Sequence, residues 1–313
     1  MSSSRLLVSL PDEFTRISLG DAPEGVEFIV WDLSCPAPTR EIDIVVPPYL
    51  GSAVVLAQLN DVRVRLVQSQ AVGYDGVEEV LPRGVVFANA ASVHETATAE
   101  LTLGLIVAAE RGIPDFVRAA DASHWSPAWH PGLADRRVLL IGYGGVGKAI
   151  ESRLLPFEVD ITRVARRERI DERGVIHDID AVPSLLPEAE IVIVVVPLTP
   201  ATTGLVDDAF LSLMPDGSLL VNVARGKVAV TEALIAHATS ERLRLALDVT
   251  DPEPLPDGHP LFSMKNVLIS PHVGGMSSAM APRMARLIEL QIARMLQGEA
   301  PINVIFPRTE GAA

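Results

Sequence analysis

Two α/β domains, one of them a doubly wound parallel sheet, are what the sequence predicts, and three observations carry the prediction. The 313 residues, 48% of them hydrophobic, suffice for two domains of ordinary size with a core in each. Short β-rich apolar runs recur along the whole chain, separated by helical or polar segments, which is the pattern of strands joined by crossover helices. A glycine-rich turn, GYGGVG at 142–147, lies between one such run and a segment with helical spacing.

Taken in order, RLLVSL, VEFIVW, IDIVV, VRLVQ and VVFANA read as the strands of a small parallel α/β domain. From Glu95 to Ala120 the pattern changes to ETATAELTLGLIVAAERGIPDFVRAA, whose spacing predicts one long helix, bent or broken near Pro114, leading into the second domain. There RRVLLIG, VDITRVA, EIVIVVV, GSLLVNV, LRLALDV and NVLISP predict six strands of a doubly wound sheet. An amphipathic helix over 280–297, ending before Gly298, is expected to return to the first domain. The expected division is therefore a discontinuous first domain, residues 1–97 and 282–313, around a second, residues 98–281. No internal repeat or low-complexity tract interrupts this pattern.

The formal charge of −14 argues against a nucleic-acid partner, which requires a concentrated basic patch. Basic residues do gather locally at Arg163, Arg166, Arg167 and Arg169. Cys35 is the only cysteine, so neither a disulfide framework nor a cysteine-held metal is expected, and a reducing cytoplasm fits. Its early, apolar context marks it as structural. The N-terminal apolar run is too short for a signal sequence, and no run approaches a membrane span.

RRVLLIG runs directly into Gly142-Tyr143-Gly144-Gly145-Val146-Gly147, and KAIESRLL follows with helical spacing. In that strand–turn–helix context the glycines form the dinucleotide-binding fingerprint of a Rossmann-type fold. Gly142 permits the tight turn, Gly144 lets the backbone approach a pyrophosphate, and Gly147 lets helix and strand pack closely; the helix N-terminus faces the phosphates. NAD-specific sites place an acidic residue at the end of the second strand, where this chain has Ala165 followed by Arg166 and Arg167. Two guanidinium groups and no carboxylate favour the 2′-phosphate of NADP over NAD. Glu168 nearby offers the alternative, a contact to ribose.

Three ionisable residues follow the turn: Arg225 in VNVARG, Glu253 in DVTDPEP and His272 in SPHVGG. Hydride transfer to a 2-oxo acid needs an anchor for the carboxylate and a proton for the carbonyl oxygen. Arg225 offers a planar fork matched to a carboxylate. His272 is the proton donor, because imidazole titrates near neutrality. Glu253 would bond the other ring nitrogen, orient the imidazole and stabilise its protonated form. A serine hydrolase is excluded by the lack of a GxSxG elbow.

These motifs, in this order, resemble the D-isomer-specific 2-hydroxyacid dehydrogenase family, closest in character to glyoxylate/hydroxypyruvate reductases. QAVGYDGV at 70–77 is similar to the family's substrate loop, ETATAELTLGLIVAAER to its interdomain helix, and PLTPATTGLV, VNVARG, DVTDPEP and SPHVGG to its later signatures. The resemblance implies a flavodoxin-like α/β substrate domain beside the Rossmann-type domain, an active cleft between them, and a homodimer. It also implies that Pro197, Thr202, Val223, Ala224 and Gly274 line the cofactor, and that the backbone at Val72 and Gly73 binds the substrate carboxylate. Asp248 either supports the reacting residues or contacts the nicotinamide side. Tyr49, in Pro47-Pro48-Tyr49-Leu50, is placed to wall the substrate pocket. No basic residue stands there, which weakens 3-phosphoglycerate as substrate, as does the lack of a C-terminal regulatory extension. His94 and His130 lie near expected active-site or interface loops. Trp125 and Trp129 match an aromatic pair of the reductases loosely and read as packing in a dimer arm.

The expectation is thus an NAD(P)-dependent oxidoreductase acting on a small 2-oxo or D-2-hydroxy acid, glyoxylate or hydroxypyruvate being the best guesses. Its rivals are a phosphoglycerate or phosphite dehydrogenase and a nucleotide-sensing interaction protein without catalysis. Retention of all three reacting residues argues against the last.

Overall fold

The structure, a computed structural model, describes residues 5–51 and 53–307, so the extreme ends of the expected first domain lie outside the described residues. The chain divides into two compact units, Met1–His94 with Ser278–Ala313, and Glu95–Ser277. Each is built around its own sheet.

The first unit begins with β1 (Leu6–Leu10), α1 (Glu13–Leu19), β2 (Val26–Val30), β3 (Glu41–Val45), a 3₁₀ segment Ala53–Leu59, β4 (Arg63–Gln68), α2 (Val77–Val80) and β5 (Val86–Ala88). Asp12 starts α1 by accepting the Thr15 N–H at 2.7 Å, a side-chain cap for an otherwise unpaired donor. Strands β1 to β5 are parallel in the order 2-1-3-4-5, the flavodoxin-like order. Adjacent residues serve opposite faces: Val8, Ile44 and Leu66 pack into one core, Val45, Val67 and Phe87 into the other.

The second unit follows as α3 (Glu95–Glu110), α4 (Ile113–Asp121), β6 (Arg137–Ile141), α5 (Gly145–Leu154), β7 (Asp160–Ala165), β8 (Arg169–Asp171), β9 (Gly174–Asp178), α6 (Val182–Leu185), β10 (Ile191–Val194), α7 (Asp208–Leu213), β11 (Leu219–Asn222), α8 (Thr231–Thr239), β12 (Arg244–Leu247) and β13 (Val267–Ile269). Its sheet has the order 13-12-11-10-6-7-9-8, parallel except for β8. This is the Rossmann-type arrangement, with its topological switch point between β6 and β10. Leu139, Val192, Leu220 and Leu245 feed one core while Leu140, Ile193, Val221 and Ala246 feed the other. Burial on both faces explains why these strands read as nearly unbroken apolar runs. The chain then returns to the first unit through α9 (Met280–Leu296), which lays Met284, Leu287, Ile288 and Ile292 onto its core, and β14 (Val304–Phe306), antiparallel to β5.

The long helical segment is broken near Pro114, as expected, into two helices, and Gly112 makes the break: it has φ +62°, and a Cβ there would lie 2.2 Å from the His130 ring. Pro114 sits in the first turn of α4, where a missing N–H costs nothing. The β8–β9 hairpin adds two strands to the six expected in this sheet, its edge strand protected by Arg169 and Asp171. Cys35 is exposed and so is not part of a core.

Candidate active site

Arg225, Glu253 and His272 stand in the loops that leave the carboxyl ends of β11, β12 and β13. These strands are parallel neighbours, so residues far apart in sequence emerge side by side. Ligand sites of open α/β sheets form at such ends. The Glu253 carboxylate Oε1 is hydrogen-bonded to His272 Nδ1, with both side chains partly exposed. A carboxylate accepts only, so Nδ1 carries the proton. His272 Nε2 has no hydrogen-bond partner among the described residues.

The loop that bears His272 is held from below. Asp248, 3% exposed, accepts Ser270 Oγ–H at 2.6 Å and Val273 N–H at 3.0 Å on Oδ1, and Gly274 N–H at 3.0 Å on Oδ2. A Cβ at Gly274 would lie 2.9 Å from Asp248 Oδ2, so only glycine lets the carboxylate take that N–H. His272 itself has φ +53°, a strained conformation that its N–H bond to Asp248 O, 2.8 Å, helps to hold.

Arg225 follows a turn shaped by Asn222, whose side chain accepts Ala224 N–H at 3.0 Å and donates to Arg225 O at 3.2 Å. Val223 and Ala224 are buried in that turn, and Arg225 Nη1 donates to Ala224 O at 2.7 Å. Gly226 presses the turn onto the next loop: a Cβ there would lie 1.8 Å from Thr250 O. Asn222, Ser270 and Gly226 were not singled out from the sequence, although asparagine at a strand end is a recognised turn signal.

At the glycine turn, φ of Gly142 is +109° and a Cβ would fall 2.3 Å from Val195 O; at Gly147 it would fall 2.1 Å from Gly142 O. Both glycines are required by packing. Gly144 differs, since a Cβ there meets nothing within 4 Å. It caps α5 with no side chain on the helix N-terminus, and with the exposed Gly145 and half-buried Val146 it presents backbone toward that end. The Glu95 carboxylate stands beside this end, its Oε1 3.0 Å from where a Gly145 Cβ would lie, while the exposed glycine backbone of the N-terminus fits a pyrophosphate. Tyr143 points inward, 5% exposed, so only its backbone belongs to the turn's surface.

Ala165 ends β7 as expected, and Arg166 and Arg167 beyond it are exposed, without hydrogen bond or ion pair among the described residues. Glu168 is exposed beside them. Arg163 is removed from the basic group: it is 3% exposed, bonded to Asp171 at 2.9 Å and close to Glu151 at 3.6 Å. Burial opposes its charge, but the Tyr143 hydroxyl, Asp171 and Glu151 outweigh that and hold it above the ordinary guanidinium range. Pro197 is exposed after β10, and Thr202 Oγ1 closes the turn there by donating to Pro197 O at 2.6 Å and accepting Thr199 N–H at 2.8 Å.

In the first unit Tyr49 stacks on His94, ring centroids 5.3 Å apart. His94, 5% exposed, meets Gln70 O through Nε2 at 2.6 Å, and Gln70 Nε2 donates to Pro47 O at 3.0 Å. Asn89 Nδ2 donates to Val72 O at 2.8 Å. The carbonyl of Val72 is thus held by Asn89, and no hydrogen bond from the Val72 or Gly73 N–H is found among the described residues. Trp125 and Trp129 are 92% and 102% exposed, and no residue of α4 is buried. Among the described residues no helix is long and apolar enough to cross a membrane.

Residues 103–274, more than half of the chain, match the NAD binding domain of the D-isomer specific 2-hydroxyacid dehydrogenases. The chain is 30% identical over 303 residues to human glyoxylate reductase/hydroxypyruvate reductase, covering 91% of this chain and 92% of that protein. It is 32% identical over 248 residues to the glyoxylate reductase of Thermofilum pendens, covering 76% and 73% respectively. A D-isomer specific 2-hydroxyacid dehydrogenase from Xanthobacter autotrophicus, solved with NADPH and MES, superposes with a TM-score of 0.82 at 29% identity, covering 97% of this chain and 99% of that one. With a Rossmann-type unit, a glycine turn at the N-terminus of α5 and a Glu–His pair at the sheet's carboxyl end, the chain belongs to the D-isomer specific 2-hydroxyacid dehydrogenase family of NAD(P)-dependent oxidoreductases.

Proposed function

We propose that this enzyme reduces a small 2-oxo acid, glyoxylate or hydroxypyruvate, to the D-2-hydroxy acid, with NADP(H) preferred. The observation that supports it best is the Glu253–His272 pair, which leaves Nε2 as the one ring atom able to exchange a proton. Gly142, Gly144, Gly145, Val146 and Gly147 hold the pyrophosphate, Arg166 and Arg167 the 2′-phosphate. Pro197, Thr202, Val223, Ala224, Asp248 and Gly274 line the remainder. Bound there, the dinucleotide supplies the hydride. Arg225 grips the substrate carboxylate through its fork and polarises the carbonyl. His272 delivers its Nε2 proton to the carbonyl oxygen as the alkoxide forms, and the Glu253 carboxylate stabilises the imidazolium that precedes transfer. In the reverse direction neutral His272 takes the hydroxyl proton.

The test is a panel that follows NADPH or NADH consumption with glyoxylate, hydroxypyruvate, pyruvate and bulkier 2-oxo acids, and the reverse reaction with 3-phosphoglycerate and phosphite. Highest kcat/KM on a two- or three-carbon 2-oxo acid is expected; phosphite or phosphoglycerate dominating would overturn the substrate class. Cofactor preference has its own check. Ala165→Asp combined with Arg166→Ser adds a carboxylate and removes a guanidinium, so the NADPH/NADH ratio of kcat/KM is expected to fall about tenfold or more. An unchanged ratio refutes the assignment.

The exposed rings of Trp125 and Trp129, with Ile113, Phe116 and Val117 on α4 also exposed, support a homodimer, the apolar surface being what a second copy would cover. Sedimentation as a monomer at micromolar concentration would refute it. The reaction is assigned to the cytoplasm, where the exposed thiol of Cys35 stays reduced.

A further inference from the structure

Glu151 lies on α5, is 2% exposed and has no part in the chemistry above. A buried carboxylate is costly unless it is paired, and this one is paired from three sides. The Tyr143 hydroxyl donates to Oε2, Arg173 Nη1 lies 2.5 Å from the same oxygen, and Arg163 Nη1 lies 3.6 Å from Oε1. Burial, then the bond to Glu151, push the Tyr143 hydroxyl above its ordinary range, so it stays protonated and donating. Glu151 therefore joins the glycine turn, β7 and the tip of the β8–β9 hairpin.

The same hairpin is tied at its base. Arg169 Nη2 donates to Tyr143 O at 3.0 Å, and its guanidinium lies 6.0 Å from the centre of the Tyr143 ring. Asp171 accepts from Arg163 Nη1 at 2.9 Å and from Arg173 N–H at 2.9 Å. One donor of Arg169 is spent on the turn's carbonyl; a guanidinium has five. Arg166, Arg167 and Arg169 thus project from one short segment, with Glu168 as the only acid among them, at the strand end where dinucleotide sheets hold the adenosine ribose. Tethering Arg169 in this way fixes the direction of its fork before any anion arrives, which lowers the ordering cost of binding.

We propose that Arg169 is a third contact for an adenosine 2′-phosphate, and that Glu151 is the positioning residue that fixes the β8–β9 hairpin carrying it. The proposal rests on the NADP(H) reading above, which assigned the phosphate to Arg166 and Arg167 alone. It makes phosphate recognition depend on a carboxylate remote from the phosphate, and on a hairpin outside the glycine turn.

The probes are adenosine 2′,5′-bisphosphate and 5′-AMP, titrated calorimetrically into the full-length protein and its variants. The wild type is expected to bind the bisphosphate about tenfold or more tightly than 5′-AMP. Arg169→Gln is expected to lose about tenfold on the bisphosphate with 5′-AMP within about twofold. Glu151→Gln is expected to move the same ratio by about threefold to fivefold, through loosening of the hairpin. Arg173→Gln frees the hairpin tip at a side chain that is 41% exposed, so it tests the tether even where Glu151→Gln fails to fold. Equal losses on both probes, or an unchanged ratio in Arg169→Gln and Arg173→Gln, overturn the hairpin's role and leave Arg166 and Arg167 standing. A wild type that binds both probes equally overturns the NADP(H) reading and this proposal with it.

Discussion

His272→Ala is expected to lower turnover by about 10²–10⁴-fold while leaving dinucleotide affinity within about twofold. The size follows from the proposed role of the ring: Nδ1 is committed to Glu253, which leaves Nε2 as the ring atom that can give a proton to a carbonyl oxygen. The backbone must be controlled for, because His272 has φ +53°. Alanine inherits that strain, of about 1–3 kcal/mol, whereas asparagine tolerates the left-handed region. His272→Asn therefore keeps the loop and removes the proton donor, and it is expected to be as inactive as alanine. Glu253→Gln keeps a hydrogen-bond acceptor on the ring but not its charge, so a smaller loss of about 10–10²-fold is expected. Steady-state kinetics with glyoxylate and NADPH, beside a binding titration of NADPH, separates these outcomes. Near-normal turnover in either His272 variant refutes the assignment.

The parts of this molecule that were legible in the sequence are those whose physics is local. Strands buried on both faces must be apolar throughout, and RRVLLIG, EIVIVVV and GSLLVNV could hardly be anything else. The glycine turn was legible for the same reason, since Gly142 and Gly147 have no room for a side chain. What stayed hidden depends on partners distant in sequence. Arg163 looked like a member of a basic patch because nothing near it in the chain shows that Glu151 and Asp171 would bury and neutralise it. The β8–β9 hairpin escaped because an edge strand survives on charge rather than apolarity, and Ile170 is 78% exposed. The helix break near Pro114 was legible but its cause was not, because proline disrupts a helix interior yet suits a first turn, and Gly112 is the residue that makes the break. For the candidate site, residue types suggested roles for Arg225, Glu253 and His272. Strand order, which periodicity does not encode, brings their loops together. The service that Asp248 gives to the His272 loop, two backbone N–H groups and a serine hydroxyl on one carboxylate, is invisible until that order is known.

Arg225→Lys is expected to cost about 10²–10³-fold in kcat/KM although the charge is kept, because an ammonium cannot reproduce two parallel bonds to a carboxylate. The guanidinium is also oriented: Nη1 is bonded to Ala224 O at 2.7 Å, which sets the plane of the fork before substrate arrives. Arg225→Ala removes anchor and charge together, a loss of about 3–5 kcal/mol or 10²–10⁴-fold in kcat/KM. If the arginine acts on the carboxylate, pyruvaldehyde, which has a ketone but no carboxylate, should be reduced by wild type and Arg225→Lys with rates within about threefold of each other. A separate substitution tests orientation without touching the side chain. Gly226→Ala places a methyl 1.8 Å from Thr250 O, where backbone meets backbone and neither loop can yield without moving Arg225 or the segment leading to Glu253. It is expected to reproduce much of the Arg225→Lys loss, about tenfold or more. A fully active Gly226→Ala would show that these loops are not held in register by that contact. Equal losses of Arg225→Lys on the 2-oxo acid and on pyruvaldehyde would show that the arginine does not read the carboxylate at all.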